Sequence, residues 1–157
     1  MEEKEYGLVL AGGGTKGAYQ VGVWKALQEL NINVTAIVGT SIGALNGALF
    51  LQDDLNSVIK MYENIKIDNI MNIKGIDGDK NIFDLSNIFN LAADYTKQKG
   101  IDNTPLRNMI REHVNMDKLY DSRINFGLVT YSVKNKIPLR KFKNEIPKEQ
   151  MEDYLLA

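Results

Sequence analysis

A chain of 157 residues with 44% hydrophobic and 25% charged side chains has the make-up of one globular unit, which excludes a disordered tail, a collagen-like fibre and two ordinary domains. Its net charge of −1 excludes a globally basic nucleic-acid binder, so no nucleic-acid partner is expected. The lack of cysteine excludes disulfides, thiolate metal ligands and a cysteine nucleophile, and fits a reducing, cytoplasmic setting.

The N-terminus, Met1-Glu2-Glu3-Lys4-Glu5, is acidic where a secretory leader is basic. No stretch approaches the roughly 20 apolar residues of a membrane span. The apolar run 6–11 ends in Gly12-Gly13-Gly14 and is predicted as a buried strand entering a tight turn. From 16 to 30 the spacing is helical, with Tyr19, Val23, Ala26, Leu27 and Leu30 on the apolar face and Lys25, Gln28 and Glu29 off it. Residues 34–39 read as a second buried strand and 42–51 as an apolar helix around Ala44, Leu45, Ala48 and Leu49. Strand, helix, strand, helix in so short a stretch marks a βαβ unit in a parallel sheet.

Helices are predicted over 53–64, 83–99 and 105–114, the last opened by Thr104 as cap and Pro105 in the first turn. The Asn-, Asp- and Gly-rich stretch 66–81 reads as a surface excursion. Strand character returns over 124–133, with 139–142 as its antiparallel neighbour across Lys134-Asn135-Lys136. A final helix is expected over 148–157, after Pro147.

The chemistry gathers in two glycine-rich turns. Gly39-Thr40-Ser41-Ile42-Gly43 is a G-x-S-x-G set between a predicted strand and a predicted helix. A nucleophile elbow needs that context: the serine stands on a strained turn, small neighbours let strand and helix approach, and the helix start faces any anion formed beside the serine. A serine that merely caps the helix fits the same five residues. The other turn, Gly12-Gly13-Gly14-Thr15-Lys16-Gly17, follows the first strand, and its glycines let backbone amides face a bound oxygen. A Walker loop needs Lys-Ser or Lys-Thr after its last glycine, whereas Ala18 and Tyr19 follow Gly17. A dinucleotide fingerprint is met by Gly12, Gly14 and Gly17 but expects an acid about 20 residues on, and residues 31–50 contain neither Asp nor Glu.

Together the two turns resemble those of the patatin-like phospholipases, whose G-G-G-x-[KR]-G turn precedes a G-x-S-x-G elbow. Asp102-Asn103-Thr104-Pro105-Leu106-Arg107 and Tyr154-Leu155-Leu156-Ala157 resemble later parts of the same domain more weakly. The resemblance implies a three-layer α/β/α fold with a mainly parallel central sheet, and hydrolysis of phospholipid or other acyl esters by a Ser–Asp dyad without a cofactor or metal. Ser41 is then the nucleophile, with Gly39 and Gly43 as elbow glycines and the amides around Gly12, Gly13, Gly14 and Ile42 as the oxyanion hole. The family's aspartate lies in an Asp-Gly-Gly or Asp-Gly-Ala segment, whereas the single Asp-Gly pair here, Asp77-Gly78, is followed by Asp79. Residues 1–157 are therefore expected to be a partial acyl hydrolase domain whose catalytic Asp is not in this chain. Such a fragment would have little turnover alone and would self-associate through uncovered sheet.

Other candidates have plainer roles beside the chemical ones. His113, the single histidine, is a generic serine-hydrolase base or a solvated residue at a helix end. Asp77-Gly78-Asp79-Lys80-Asn81 opens like a calcium loop but has Ile82 and Ile88 where glycine and the closing acid belong. Lys134, Lys136, Arg140, Lys141 and Lys143 form a basic cluster, either a solvated hairpin or a peripheral contact to anionic lipid headgroups. A nucleotide-binding module using turn 12–17 and a non-catalytic lipid-binding remnant are the competing functions.

Overall fold

The computed structural model describes residues 4–64, 104–132 and 134–157. Strands β1 (Tyr6–Leu10), β2 (Val34–Thr40) and β3 (Asn125–Ser132) run parallel, and β4 (Ile137–Phe142) is antiparallel to β3, in a sheet of order β1-β2-β3-β4. A 3-10 turn at Gly14–Lys16 and helix α1 (Gly17–Glu29) join β1 to β2. Helices α2 (Ile42–Phe50), α3 (Leu55–Asn64), α4 (Thr104–His113) and α5 (Met116–Asp121) precede β3, and α6 (Met151–Leu156) closes the chain. The α/β class and mainly parallel sheet agree with expectation. The excursion 66–81, the helix 83–99 and Asp77 lie outside the described residues.

The register sets the core. Leu8, Ile37 and Phe126 are neighbours across three strands, as are Leu10, Gly39 and Leu128 in the next such row. Helix α2 lies directly on these rows: a Cβ added to Gly47 would sit 2.9 Å from the Phe126 ring and 3.0 Å from Ile37. Every residue of α2 from Gly43 to Phe50 is buried, so this helix is hydrophobic all round because it is packed all round. The opposite sheet face carries Val9, Tyr131 and Phe142, each more than half exposed.

The buried stripe of α1 differs from the one its apolar spacing suggests. Tyr19 and Leu30 are 79% and 69% exposed, whereas Gly17, Val21 and Trp24 face inward, Trp24 stacking on Phe50 with ring centroids 4.9 Å apart. Gly17 and Gln20 lie on that inward stripe. Neither scores as apolar, so the stripe is hidden from a hydrophobicity pattern although it keeps helical spacing.

At the far end, Arg107 pairs with Glu152 and, at 2.9 Å, with Asp153, while Arg111 reaches Glu152 at 2.8 Å, tying α4 to α6. Helix α5 was not expected. It is only six residues long, and its signal is Asn115, whose side chain accepts a hydrogen bond from the Lys118 amide as an N-cap.

Candidate active site

Ser41 is the single residue between β2 and α2. Its backbone is at φ 52° and ψ −130°, on the positive-φ side that non-glycine residues avoid, at a cost of about 1–3 kcal/mol. Although it occupies the N-cap position, its side chain makes no capping hydrogen bond. The helix start is closed by backbone alone, the Ser41 carbonyl accepting from the amides of Ala44 (2.8 Å) and Leu45 (3.2 Å). The capping alternative is thereby removed, and the side chain is exposed at the turn.

Two glycines let the chain make this turn. A Cβ on Gly39 would lie 2.3 Å from the Gly43 carbonyl oxygen, and one on Gly43 would lie 2.3 Å from the Leu10 oxygen and 2.8 Å from that of Ala11. The first turn of α2 therefore rests directly on the ends of β1 and β2. The Ile42 amide opens that turn, where unpaired amides and the helix dipole favour negative charge.

The parallel register Leu10↔Gly39 brings the first glycine turn beside the second. A Cβ on Gly12 would stand 3.3 Å from the Ser41 Cβ, so the two motifs meet in space. Gly14 holds φ 55°, and the Lys16 amide donates to the Gly13 carbonyl at 3.2 Å in the 3-10 turn. Residues 11–16 are all exposed, leaving this backbone open to a ligand. Ser41, Gly12, Gly39, Gly43 and Ile42 are thus gathered at one end of the sheet, with Gly13 and Gly14 in the turn that follows Gly12.

His113 is elsewhere. It lines a shallow hollow with Leu49, Gln52, Asp54, Ser57, Val58 and Met61, near the C-terminal end of α2. At about 1.5 Å per residue, that end is roughly 12–15 Å from Ser41. The basic hairpin is also not one free cluster. The Lys143 ammonium donates to the carbonyls of Leu119 (3.2 Å) and Ser122 (2.6 Å), and partial burial pulls its pKa down. Among the described residues no group of three or more His, Asp or Glu is placed to hold a metal ion, and no helix is long and apolar enough to cross a membrane.

A buried polar network lies behind the turns, and neither motif points to it. Asn46 in α2 is fully buried and bonded to Gly17, Gln20 and Tyr62. Its one sequence signal is an amide inside an otherwise apolar helix.

The patatin-like phospholipase family model matches residues 8–157. The chain belongs to the patatin-like phospholipase family. It is 52% identical over 63 residues to lysophospholipase nte1 of Aspergillus terreus, covering 40% of this chain and 4% of that protein. It is likewise 52% identical over 54 residues to patatin-like phospholipase domain-containing protein 7 of Rattus norvegicus, covering 34% and 4%. The crystal structure of VipD from Legionella pneumophila superposes with a TM-score of 0.58 at 17% identity, covering 99% of this chain and 42% of that one; the likeness is one of fold. The match thus takes in only a small part of each curated relative's length.

Proposed function

We propose that this patatin-like chain carries the nucleophile and oxyanion turn of a lipid ester hydrolase acting on phospholipid or lysophospholipid. The observation that carries the reading is Ser41, strained at φ 52° with no capping bond, between two glycines that admit no Cβ and against Gly12. The family match and the lysophospholipase relatives support it.

In this mechanism the Ser41 Oγ attacks the ester carbonyl carbon, and its proton passes to the carboxylate of an aspartate outside residues 1–157. The carbonyl π electrons move onto oxygen, where amides at Gly12, Gly13, Gly14 and Ile42 stabilise the charge. Collapse expels the alcohol, which takes the proton from the aspartate, and water then cleaves the acyl-serine by the same steps. The reaction as written uses no cofactor. It operates in the cytoplasm at a membrane surface, in peripheral contact through the exposed Lys134, Lys136 and Arg140 and the sheet face of Val9, Tyr131 and Phe142. That same apolar face would pair two copies of this chain.

A serine-directed fluorophosphonate, added to the natural full-length protein that carries these residues, is expected to leave one adduct, on the peptide containing Ser41. An adduct on another serine overturns the assignment. A folded protein with no adduct favours a non-catalytic lipid-binding remnant, and a thermal shift with NAD or ATP favours a nucleotide module.

The glycine turn gives a second expected result. Gly14→Ala places a side chain at φ 55° and disturbs the turn, so turnover should fall about 100-fold, as for a lost oxyanion donor, with substrate binding little changed. Thr15→Ala in the same turn should stay within about twofold of the parent. Steady-state kinetics on both variants checks this, and equal losses would count against the turn's role.

A further inference from the structure

Asn46 and Gln20 form a chain of amides with one consistent orientation. The Asn46 Nδ2 donates to the Gly17 carbonyl (3.0 Å) and to the Gln20 Oε1 (2.9 Å). Its Oδ1 accepts from the Tyr62 hydroxyl (2.7 Å). The Gln20 Nε2 then donates to the Ala11 carbonyl (2.7 Å). A backbone carbonyl can only accept, so both amides are fixed by the two carbonyls at which the chain ends; turning either one over would set oxygen against oxygen. Those carbonyls flank the glycine turn, Ala11 just before Gly12 and Gly17 just after Lys16.

The turn has no buried side chain of its own to hold it. Hydrogen bonds from Gln20 and Asn46 grip the backbone at both of its ends. The Ala11 carbonyl and the Gly12 N–H belong to one planar trans peptide unit and point in opposite directions, so holding the carbonyl aims the amide. Gly17 is closely packed: a Cβ there would lie 2.4 Å from the Ile42 side chain, 2.8 Å from the Tyr62 hydroxyl and 3.2 Å from the Asn46 Nδ2.

We infer that Gln20, oriented by buried Asn46, is a positioning residue that aims the Gly12 amide of the oxyanion turn at the reacting carbonyl beside Ser41. This inference rests on the hydrolase reading above and adds to it a residue that neither glycine motif contains. It assigns Gln20 a part in stabilising the transition state and none in binding the ground-state ester.

The test uses the natural full-length protein and ester hydrolysis. Gln20→Met keeps the length of the side chain and removes its donor. The expected result is a kcat lower by about ten- to a hundred-fold, the effect of a misplaced catalytic group, with KM within about twofold. Gln52→Met is the control, because Gln52 likewise bridges backbone groups, the His113 carbonyl (3.1 Å) and the Asn115 amide (2.8 Å), at the other end of α2. It should lower Tm and leave kcat unchanged. A second variant, Gln20→Glu, cannot donate to Ala11 when ionised but can when protonated, so its kcat relative to the parent should climb as pH falls from about 7 to 5. Parental kcat in Gln20→Met overturns the inference, as does an equal kcat loss in Gln52→Met. If Gln20→Met does not fold, a flat pH ratio in Gln20→Glu overturns it instead. A Ser41→Ala arm separates the two levels: parental turnover there defeats the hydrolase reading itself, whereas an inactive Ser41→Ala beside a fully active Gln20→Met defeats only the role of Gln20.

Discussion

Ser41→Ala is expected to abolish ester hydrolysis by the natural full-length protein, by at least about 1,000-fold in kcat, while leaving its melting temperature within a degree or two. The two halves of this result have separate causes. Loss of the Oγ removes the only atom proposed to form the covalent intermediate, and a water cannot take the same place without the elbow's geometry. The fold does not depend on that atom, because the Ser41 side chain is exposed and caps nothing. Alanine also keeps the Cβ, so the strain at φ 52° stays as it was. Ser41→Gly removes that strain as well, and is expected to be equally inactive yet more stable than the parent, by about 1 kcal/mol or more. A hydrolase whose nucleophile raises Tm when replaced by glycine stores strain at its reacting group. Lysophospholipid hydrolysis and thermal unfolding on both variants check this, and retained turnover in Ser41→Ala would remove Ser41 from the mechanism.

The candidate site was more legible in the sequence than the surroundings that position it, and the reason is geometric. Gly39 and Gly43 show themselves because a close backbone approach leaves glycine as nearly the sole choice, and Ser41 because it stands between them at a strand-to-helix turn. Strands β1 to β3 are visible as short apolar runs, but the run 6–11, expected to be a buried strand, is largely exposed: β1 stands at the end of the sheet order and only Leu10 in it is buried. The stripe of α1 is different. Its inward side holds Gly17 and Gln20, so the outward Tyr19 and Leu30 complete a better apolar pattern than the buried residues do. Asn46 can be buried, and Gln20 partly buried, because each amide meets partners on other elements of the fold, and pairing of that kind leaves no local signal. His113 is a case of the opposite kind. A lone histidine suits a serine hydrolase in general, but chain topology puts it near the C-terminal end of α2, away from Ser41 at the other end.

Gly43→Ala is expected to be strongly destabilising, and Gly22→Ala to be harmless or stabilising. Both glycines are helical, and helix propensity alone favours alanine at each by roughly 1 kcal/mol. Packing reverses the sign at one of them. A Cβ on Gly22 meets nothing within 4 Å, whereas one on Gly43 falls 2.3 Å from the Leu10 oxygen, 2.7 Å from its carbonyl carbon and 2.8 Å from the Ala11 oxygen. All three are backbone atoms at the end of a paired strand, so no rotamer change relieves the contact. Either β1 parts from β2 or the first turn of α2 lifts off the sheet, and the second movement carries Ser41 away from Gly12. Overpacking of this kind sits at the top of the roughly 1–3 kcal/mol range, which for a protein of this size is a Tm lower by about 6–12 °C. Ester hydrolysis should fall with it even below the new melting temperature, because the elbow is displaced in the folded state. Thermal unfolding of the two variants side by side decides the point: a Gly43→Ala protein as stable as Gly22→Ala would mean that α2 does not rest on the ends of β1 and β2, and the placement of Ser41 against the glycine turn would fall with it.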